Sequence, residues 1–336
     1  VSPVCLKLVV NARRQQGSVL IMALLIVALV AGLSIKFSSD YELGIARAEN
    51  RWHGLQATAY LQGIESFAIS GLKEDDPTVD YIGEGWDTEI PYEIDGGWLT
   101  GSLSDASSRL NLNSLNTPLV PEKPANSHER YSEAQRRFLR LMQSFPQVPL
   151  DLNEAVMVLE AIVDWMDADD TESGFGGAET NYYQSTEVPY RAANGPFKSI
   201  DELRLVRYIT PQLMTLLRPY ITILPGDVAM NVNTLPPVLI RTLNAADQLV
   251  PLSETDAAQI IQNFPPNGFY SEIGEFKAVW DQSVGNGNLD TSGLAVNTSF
   301  FLLRAQVTLV EQRRSMLSLL QRDGERIQVI QRQEAF

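Results

Sequence analysis

From Ser18 to Ile35 the chain reads SVLIMALLIVALVAGLSI, a continuous apolar run without one charged side chain. A helix needs about 20 mainly apolar residues to cross a hydrocarbon core of about 30 Å, and in that solvent only a helix satisfies its own backbone. The run predicts a membrane helix. Beyond it the period changes but the helix does not stop: Ile45, Ala48, Trp52, Leu55 and Ala59 recur at spacings of three and four, and no proline follows until Pro77. A single helix through Leu72 is expected, first apolar all round and then amphipathic.

The pattern then shifts to a period of two. Apolar residues alternate on either side of Asp95-Gly96-Gly97, a strong hairpin signal, so the segment 75–110 should hold two strands. Strand-like runs return at the far end, over 300–310, 313–320 and 325–331, with Asp323-Gly324 as a turn. Between them lies a long helical region. Ser132 with Gln135 and Ser199 with Glu202 have capping-box spacing, and Thr210-Pro211 and Thr234-Leu235-Pro236 suit helix starts. Phe138, Leu141, Met142 and Phe145 share one face of the first of these helices, and the last ends near Trp280. One sheet is therefore split in sequence by a helical insertion.

Charge orients this plan. Lys7, Arg13 and Arg14 precede the apolar run, whereas Asp40, Glu42 and Glu49 follow it, which places the basic flank in the cytoplasm and the bulk of the chain outside. A cleaved secretory signal would end in small residues of A-x-A type, and Ala31-Gly32-Leu33 is a poor match. Four of the 26 basic residues and none of the 41 acidic ones lie before Phe37, so the remainder carries 22 against 41, a net charge of −19. Such a field repels nucleic acid and favours cationic partners or divalent ions. Met230-Asn-Val-Asn-Thr looks like the opening of a helix-hairpin-helix DNA-binding module, but only Arg241 stands near it to meet phosphates, so it reads as a packing module. The one cysteine, Cys5, precedes the run, so no disulfide is expected in the exported part.

Catalytic patterns are missing. His53 and His128 have no evident nucleophile partner, and there is no G-x-S-x-G, H-E-x-x-H or Walker A string. Gly285-Asn-Gly287 reads as a turn. The richest chemistry is acidic: Asp164, Asp167, Asp169, Asp170 and Glu172 lead into Gly174-Phe-Gly-Gly-Ala-Glu179. These carboxylates repel one another unless a cation or solvent compensates, and calcium accepts six to eight oxygen ligands in flexible geometry. The spacing is not that of an EF-hand. With Asp167 and Asp169 as first and third positions, Glu172 falls where glycine belongs and Ala178 where the closing Glu should be. By spacing alone a solvated acidic helix end and turn is the slightly better description.

A basic leader ending in Gly17, an apolar helix and an amphipathic continuation resemble the type IV pilin and pseudopilin class. That resemblance implies cleavage by a prepilin peptidase between Gly17 and Ser18, with the apolar helix kept as membrane anchor and filament core. Most members carry Glu at the fifth mature position; here it is Met22, and its absence is typical of general secretion pathway protein K of the type II secretion system. The strings Asp164-Trp-Met-Asp-Ala-Asp-Asp, Tyr190-Arg-Ala-Ala-Asn, Asp201-Glu-Leu-Arg-Leu-Val-Arg and Met230-Asn-Val-Asn-Thr look like that family at matching places.

The resemblance implies an α+β pseudopilin fold. It comprises a leader (1–17), a membrane segment (18–36), a periplasmic stem (37–72), a small antiparallel sheet in two parts (73–110 and 283–336) and an inserted helical domain with two SAM-like subdomains (111–282). It further implies a structural calcium site with Asp167, Asp169 and Glu179 as foremost ligands and Asp164, Asp170 and Glu172 as further candidates. The protein would be a non-enzymatic minor pseudopilin at the tip of the periplasmic filament. It would sit in the inner membrane and partner proteins I, J and H of the same system, with no nucleic acid bound. The competing readings are a membrane-anchored periplasmic calcium-dependent binding protein or hydrolase, and a type IV pilus minor pilin.

Overall fold

The computed structural model describes residues 16–335 apart from residues 286 and 311. Cys5, Lys7, Arg13 and Arg14 lie outside the described residues. The chain divides between Ala59 and Tyr60 into two compact units. Helix α1 spans Gln16–Glu74, slightly beyond the predicted limits at both ends. Its portion before Tyr60 belongs to the first unit, where Leu20, Ile26, Leu29 and Val30 are exposed. Among the described residues α1 is the one helix long and apolar enough to cross a membrane, and the exposed apolar surface is what a lipid-facing helix requires.

The second unit begins with the remainder of α1 and continues through β1 (Ile90–Ile94), β2 (Gly97–Asp105) and β3 (Leu110–Asn111). The inserted helices follow: α2 (Glu133–Met142), α3 (Leu152–Met166), α4 (Thr180–Gln184) and α5 (Pro211–Leu217). Next come β4 (Ile221–Thr222), β5 (Met230–Asn231), α6 (Pro237–Ile240), α7 (Glu254–Gln262), α8 (Ile273–Val284) and β6 (Leu294–Ala295). The chain returns through β7 (Phe300–Leu309), β8 (Gln312–Asp323) and β9 (Arg326–Ala335). Five strands form one antiparallel sheet in the order β1-β2-β7-β8-β9, so the two halves expected from sequence pair directly, Asp105 opposite Phe301.

Alternation builds the sheet face. Phe301, Leu303, Ala305, Val307 and Leu309, two apart on β7, are all buried. Phe301 and Leu303 pack with Leu320 of β8 against Ala68 and Leu72 of α1. Glu65 sits within this contact, accepting hydrogen bonds from Ser318 Oγ and from Arg332, which compensate its burial. The helical insertion has its own core, in which Phe138, Leu141 and Met142 of α2, and Phe145 in the turn beyond its end, meet Leu159 and Ile162 of α3. Leu289 and Leu294 belong to that core as well, with Val296 packed against it, so the second half of the sheet starts at Phe300 and these three residues before it still pack with the helices.

Several local readings change. Ser132 and Gln135 do form a capping box on α2, but Ser199 and Glu202 do not: Ser199 Oγ accepts from Asp201 N–H, Glu202 accepts from Lys198 N–H, and Ile200–Leu205 is a 3-10 helix. Thr210 caps α5 with Pro211 at its first position. Thr234 caps nothing. Its hydroxyl donates to Asp105 at 2.5 Å, and α6 starts three residues later. The last helix runs to Val284 and closes on left-handed Gly285. The C-terminal strands extend past their predicted ends.

Asp105 explains the Met230–Thr234 string. This fully buried carboxylate accepts from Ser107 N–H at 2.6 Å, Asn231 Nδ2 at 3.0 Å and the hydroxyls of Thr234 and Thr298. Asn231 also donates to the Asp80 carbonyl, and Asn233 to those of Tyr270 and Val296. The asparagines that resembled a DNA-binding opening are thus engaged inside the fold, where the insertion leaves and rejoins the sheet.

Candidate metal centre

Helix α3 starts on a reciprocal capping box between Asp151 and Glu154 and presents Glu160 and Asp164 one turn apart, both buried. The helix ends at Met166, and the chain folds back so that its loop amides fall on those two carboxylates. Gly176 N–H donates to Glu160 Oε2 and Ala178 N–H to Asp164 Oδ2, each at 2.8 Å, and Ser173 N–H reaches Asp164 at 3.1 Å. Arg130 completes the Glu160 environment at 2.9 Å. The glycines are what permit this closeness: a Cβ on Gly176 would lie 2.2 Å from Met157 Cα, and one on Gly177 would lie 2.5 Å from Asp164 Oδ2. From the outer side Arg207 donates to the Gly177 carbonyl at 3.1 Å and stacks on Tyr182 and Tyr208.

The fold-back delivers Glu179 to Asp164. One carboxylate oxygen each from Asp164, Asp167 and Glu179 lies within 4.8 Å of the others. Glu179 is 1% exposed at the start of α4, yet neither of its oxygens has a hydrogen-bond partner, and Asp167 Oδ1 has none either. Burial, then repulsion from Asp164, Asp167, Asp170 and Asp169, pushes Glu179 up to about 8. Burial and its neighbours Asp164 and Asp169 push Asp167 to about 6. Asp164 is also raised by burial, with the Ser173 and Ala178 donors pulling it back.

Of the six acidic residues singled out in the sequence, Asp164, Asp167 and Glu179 therefore converge. Asp169, Asp170 and Glu172 are exposed; Asp169 Oδ1 accepts from Thr171 N–H at 2.8 Å, and the two aspartates act on Glu179 through charge. Two participants escaped sequence reasoning. Glu160 shapes the loop, and its signal was an acid at i−4 from Asp164 in the otherwise apolar stretch Ala155–Met166 of α3. Asn194, at φ 45, donates to the Asp169 carbonyl at 3.3 Å while its own Oδ1 is buried and unpartnered. Both Glu179 oxygens and Asp167 Oδ1, which no donor meets, converge with the amide-bound carboxylate of Asp164, an arrangement that fits a hard divalent cation, which would remove the repulsion that favours protonation.

A long apolar N-terminal helix, an antiparallel sheet packed on its later turns and a helical domain inserted between strands define a pseudopilin-type subunit. Residues 108–226 match the family model described as type II secretion system (T2SS), protein K. The type II secretion system protein K of Aeromonas hydrophila is 32% identical over 277 residues, covering 81% of each chain. That of Pseudomonas aeruginosa is 32% identical over 327 residues, covering 92% of this chain and 90% of the relative. A chain in the crystal structure of the GspK–GspI–GspJ complex from enterotoxigenic Escherichia coli superimposes with a TM-score of 0.69 at 23% identity, covering 86% of this chain and 99% of that one. The chain belongs to the type II secretion system protein K family.

Proposed function

We propose that the protein is a minor pseudopilin of a type II secretion system, placed at the tip of the periplasmic pseudopilus and supporting export of folded proteins across the outer membrane. The observation that carries this reading is the helical domain inserted between β2 and β7, on a chain 32% identical to protein K relatives across most of its length. The apolar part of α1 anchors it in the inner membrane with the N-terminus cytoplasmic and the larger unit periplasmic. Its companions are the other minor pseudopilins; the structural neighbour was crystallised with GspI and GspJ. The protein acts by assembly and performs no catalysis, in keeping with the missing catalytic motifs.

Asp164, Asp167 and Glu179 hold a structural calcium ion, with Asp169, Asp170 and Glu172 supplying outer negative charge. Support comes from the two orphaned oxygens of buried Glu179. Magnesium, which keeps several waters and demands a stricter octahedron, suits an irregular loop less well. Determination of the N-terminal peptide by mass spectrometry, on protein from its native membrane, tests the assignment. A mature chain beginning at Ser18 is expected; an uncut leader, or a cut beyond Ala31, would sink it. Calorimetry tests the ion separately, and heatless titration with calcium would remove it.

A further inference from the structure

The irregular segment between α1 and β1 carries a second convergence of carboxylates, on elements other than α3 and its loop. One oxygen from each of Asp75, Asp80 and Glu84 lies within 4.8 Å of the other two. Asp80 is fully buried. Its Oδ2 accepts from Thr298 N–H and from Arg322, but its Oδ1 has no hydrogen-bond partner. A carboxylate oxygen left bare in the interior is expensive, and a bound cation would offset that cost.

Arg322 supplies only part of the compensation. Its Nη1 meets Asp75 Oδ2 at 3.1 Å, and the other named donors, Trp86 Nε1 at 2.9 Å and Tyr81 N–H at 3.3 Å, both go to Glu84 Oε2. Each carboxylate thus gives one particular oxygen to these protein donors. Three carboxylates against one guanidinium leave two negative charges, the charge of one divalent ion. Asp75 and Glu84 also line an open cleft of about 730 Å³, which gives an ion access from solvent. Burial, the largest influence on Asp80, pushes it up to about 7, as expected where compensation is incomplete.

We infer that Asp75, Asp80 and Glu84 form a second divalent-cation site, calcium by its all-oxygen donors, which fastens the end of the stem helix to the sheet through Thr298 and Arg322. The site is independent of the ion assigned to the α3 loop. In the full-length protein in detergent, calorimetry is expected to find two calcium ions per chain, falling to one in Glu84→Gln and to one in Glu179→Gln. Glu84→Gln leaves the Asp80–Arg322 pair in place, and its affinity at this site should drop at least about tenfold, the loss that follows removal of even an outer partner of a metal ligand. A second readout uses Trp86, hydrogen-bonded to Glu84, as an antenna. Tryptophan-sensitised terbium luminescence that calcium displaces should persist in Glu179→Gln at pH 7.5 and vanish on adding Glu84→Gln. The inference is overturned if Glu179→Gln protein shows no such luminescence, or if the double variant binds as Glu179→Gln does. If instead Glu179→Gln takes up as much calcium as wild type while Glu84→Gln takes up less, the second site stands and the α3 site fails.

Discussion

Replacing Glu179 by glutamine separates the two forces that meet at the α3 loop, repulsion among buried carboxylates and attraction to a cation. In the ion-free protein, raising this carboxyl from 4.5 to about 8 corresponds to about 4–5 kcal/mol if nothing screens it. Asp169 and Asp170 are exposed, so solvent weakens their share, and about 2 kcal/mol is a fairer figure. Glutamine keeps the shape and removes the charge. With EDTA at pH 8 the variant should therefore be more stable than wild type by about 2 kcal/mol, or about 5 °C in melting temperature.

Calcium should reverse the order. At a concentration a hundredfold above its dissociation constant, the ion stabilises wild type by about 2.7 kcal/mol, and the variant, lacking a ligand, gains little. The pH dependence has a fixed sign, because a carboxyl raised on folding contributes stability below its unfolded value of 4.5 that is lost as pH climbs through about 8. Ion-free wild type should thus weaken more steeply between pH 5 and 8 than the variant, which keeps only the shallower losses from Asp167 (about 6) and Asp80 (about 7), so the gap between the two opens with pH and narrows toward pH 5. Urea unfolding of full-length protein in detergent, followed by tryptophan fluorescence, measures all of this. A variant less stable than wild type in EDTA at pH 8 would refute the reasoning, since Glu179 would then have a favourable partner.

Asp105→Asn should cost about 2–4 kcal/mol in urea unfolding, because it turns an amide donor toward a site already filled by four donors; a loss below about 0.5 kcal/mol would contradict its role as junction. Gly176→Ala should destabilise by about 2 kcal/mol or more and weaken calcium binding, as its Cβ would strike Met157 and lift the amide from Glu160; calorimetry showing wild-type affinity would count against the loop-positioning argument. Arg130→Met should lower stability by about 3 kcal/mol by leaving Glu160 buried beside its remaining amide donor, and unchanged thermal melting would refute that.

What the sequence disclosed was what local periodicity encodes. The Asp95-Gly96-Gly97 hairpin, the alternation of β7 and the Ser132–Gln135 box each depend on residues a few positions apart. The same spacing misled at Ser199, where a 3-10 turn took the place of an α-helix, and at Thr234, whose hydroxyl answers an aspartate far away in sequence. At the metal centre the acidic composition was plain, but the membership was not. Asp164 rather than Asp169 joins the buried group because α3 turns it inward, alongside Glu160. Burial on a helix face and the direction of a returning loop are tertiary facts that spacing does not contain.

The placement of the insertion bears on how such a subunit can differ from its companions and still assemble with them. Residues 106–299 leave and rejoin the sheet at one point: Asp105 pairs with Phe301, and Ala106 N–H donates to the Phe300 carbonyl at 2.9 Å. Closing a long connection adds little entropy beyond closing a short one, because the cost grows only with the logarithm of length. The sheet register of β2 on β7, and the contact of Ala68 and Leu72 with Phe301 and Leu303, can therefore persist whatever the insertion contains. Asp105 then fixes the insertion at its base by holding Asn231, Thr234 and Thr298 together. On the proposed function, the stem and sheet keep the form a pseudopilus accepts while the helical domain supplies the bulk that belongs at a tip. Loss of Asp105 should consequently loosen the insertion before the sheet, a sequence that hydrogen exchange would resolve as early exposure of α6 to α8 with β7 and β8 still protected.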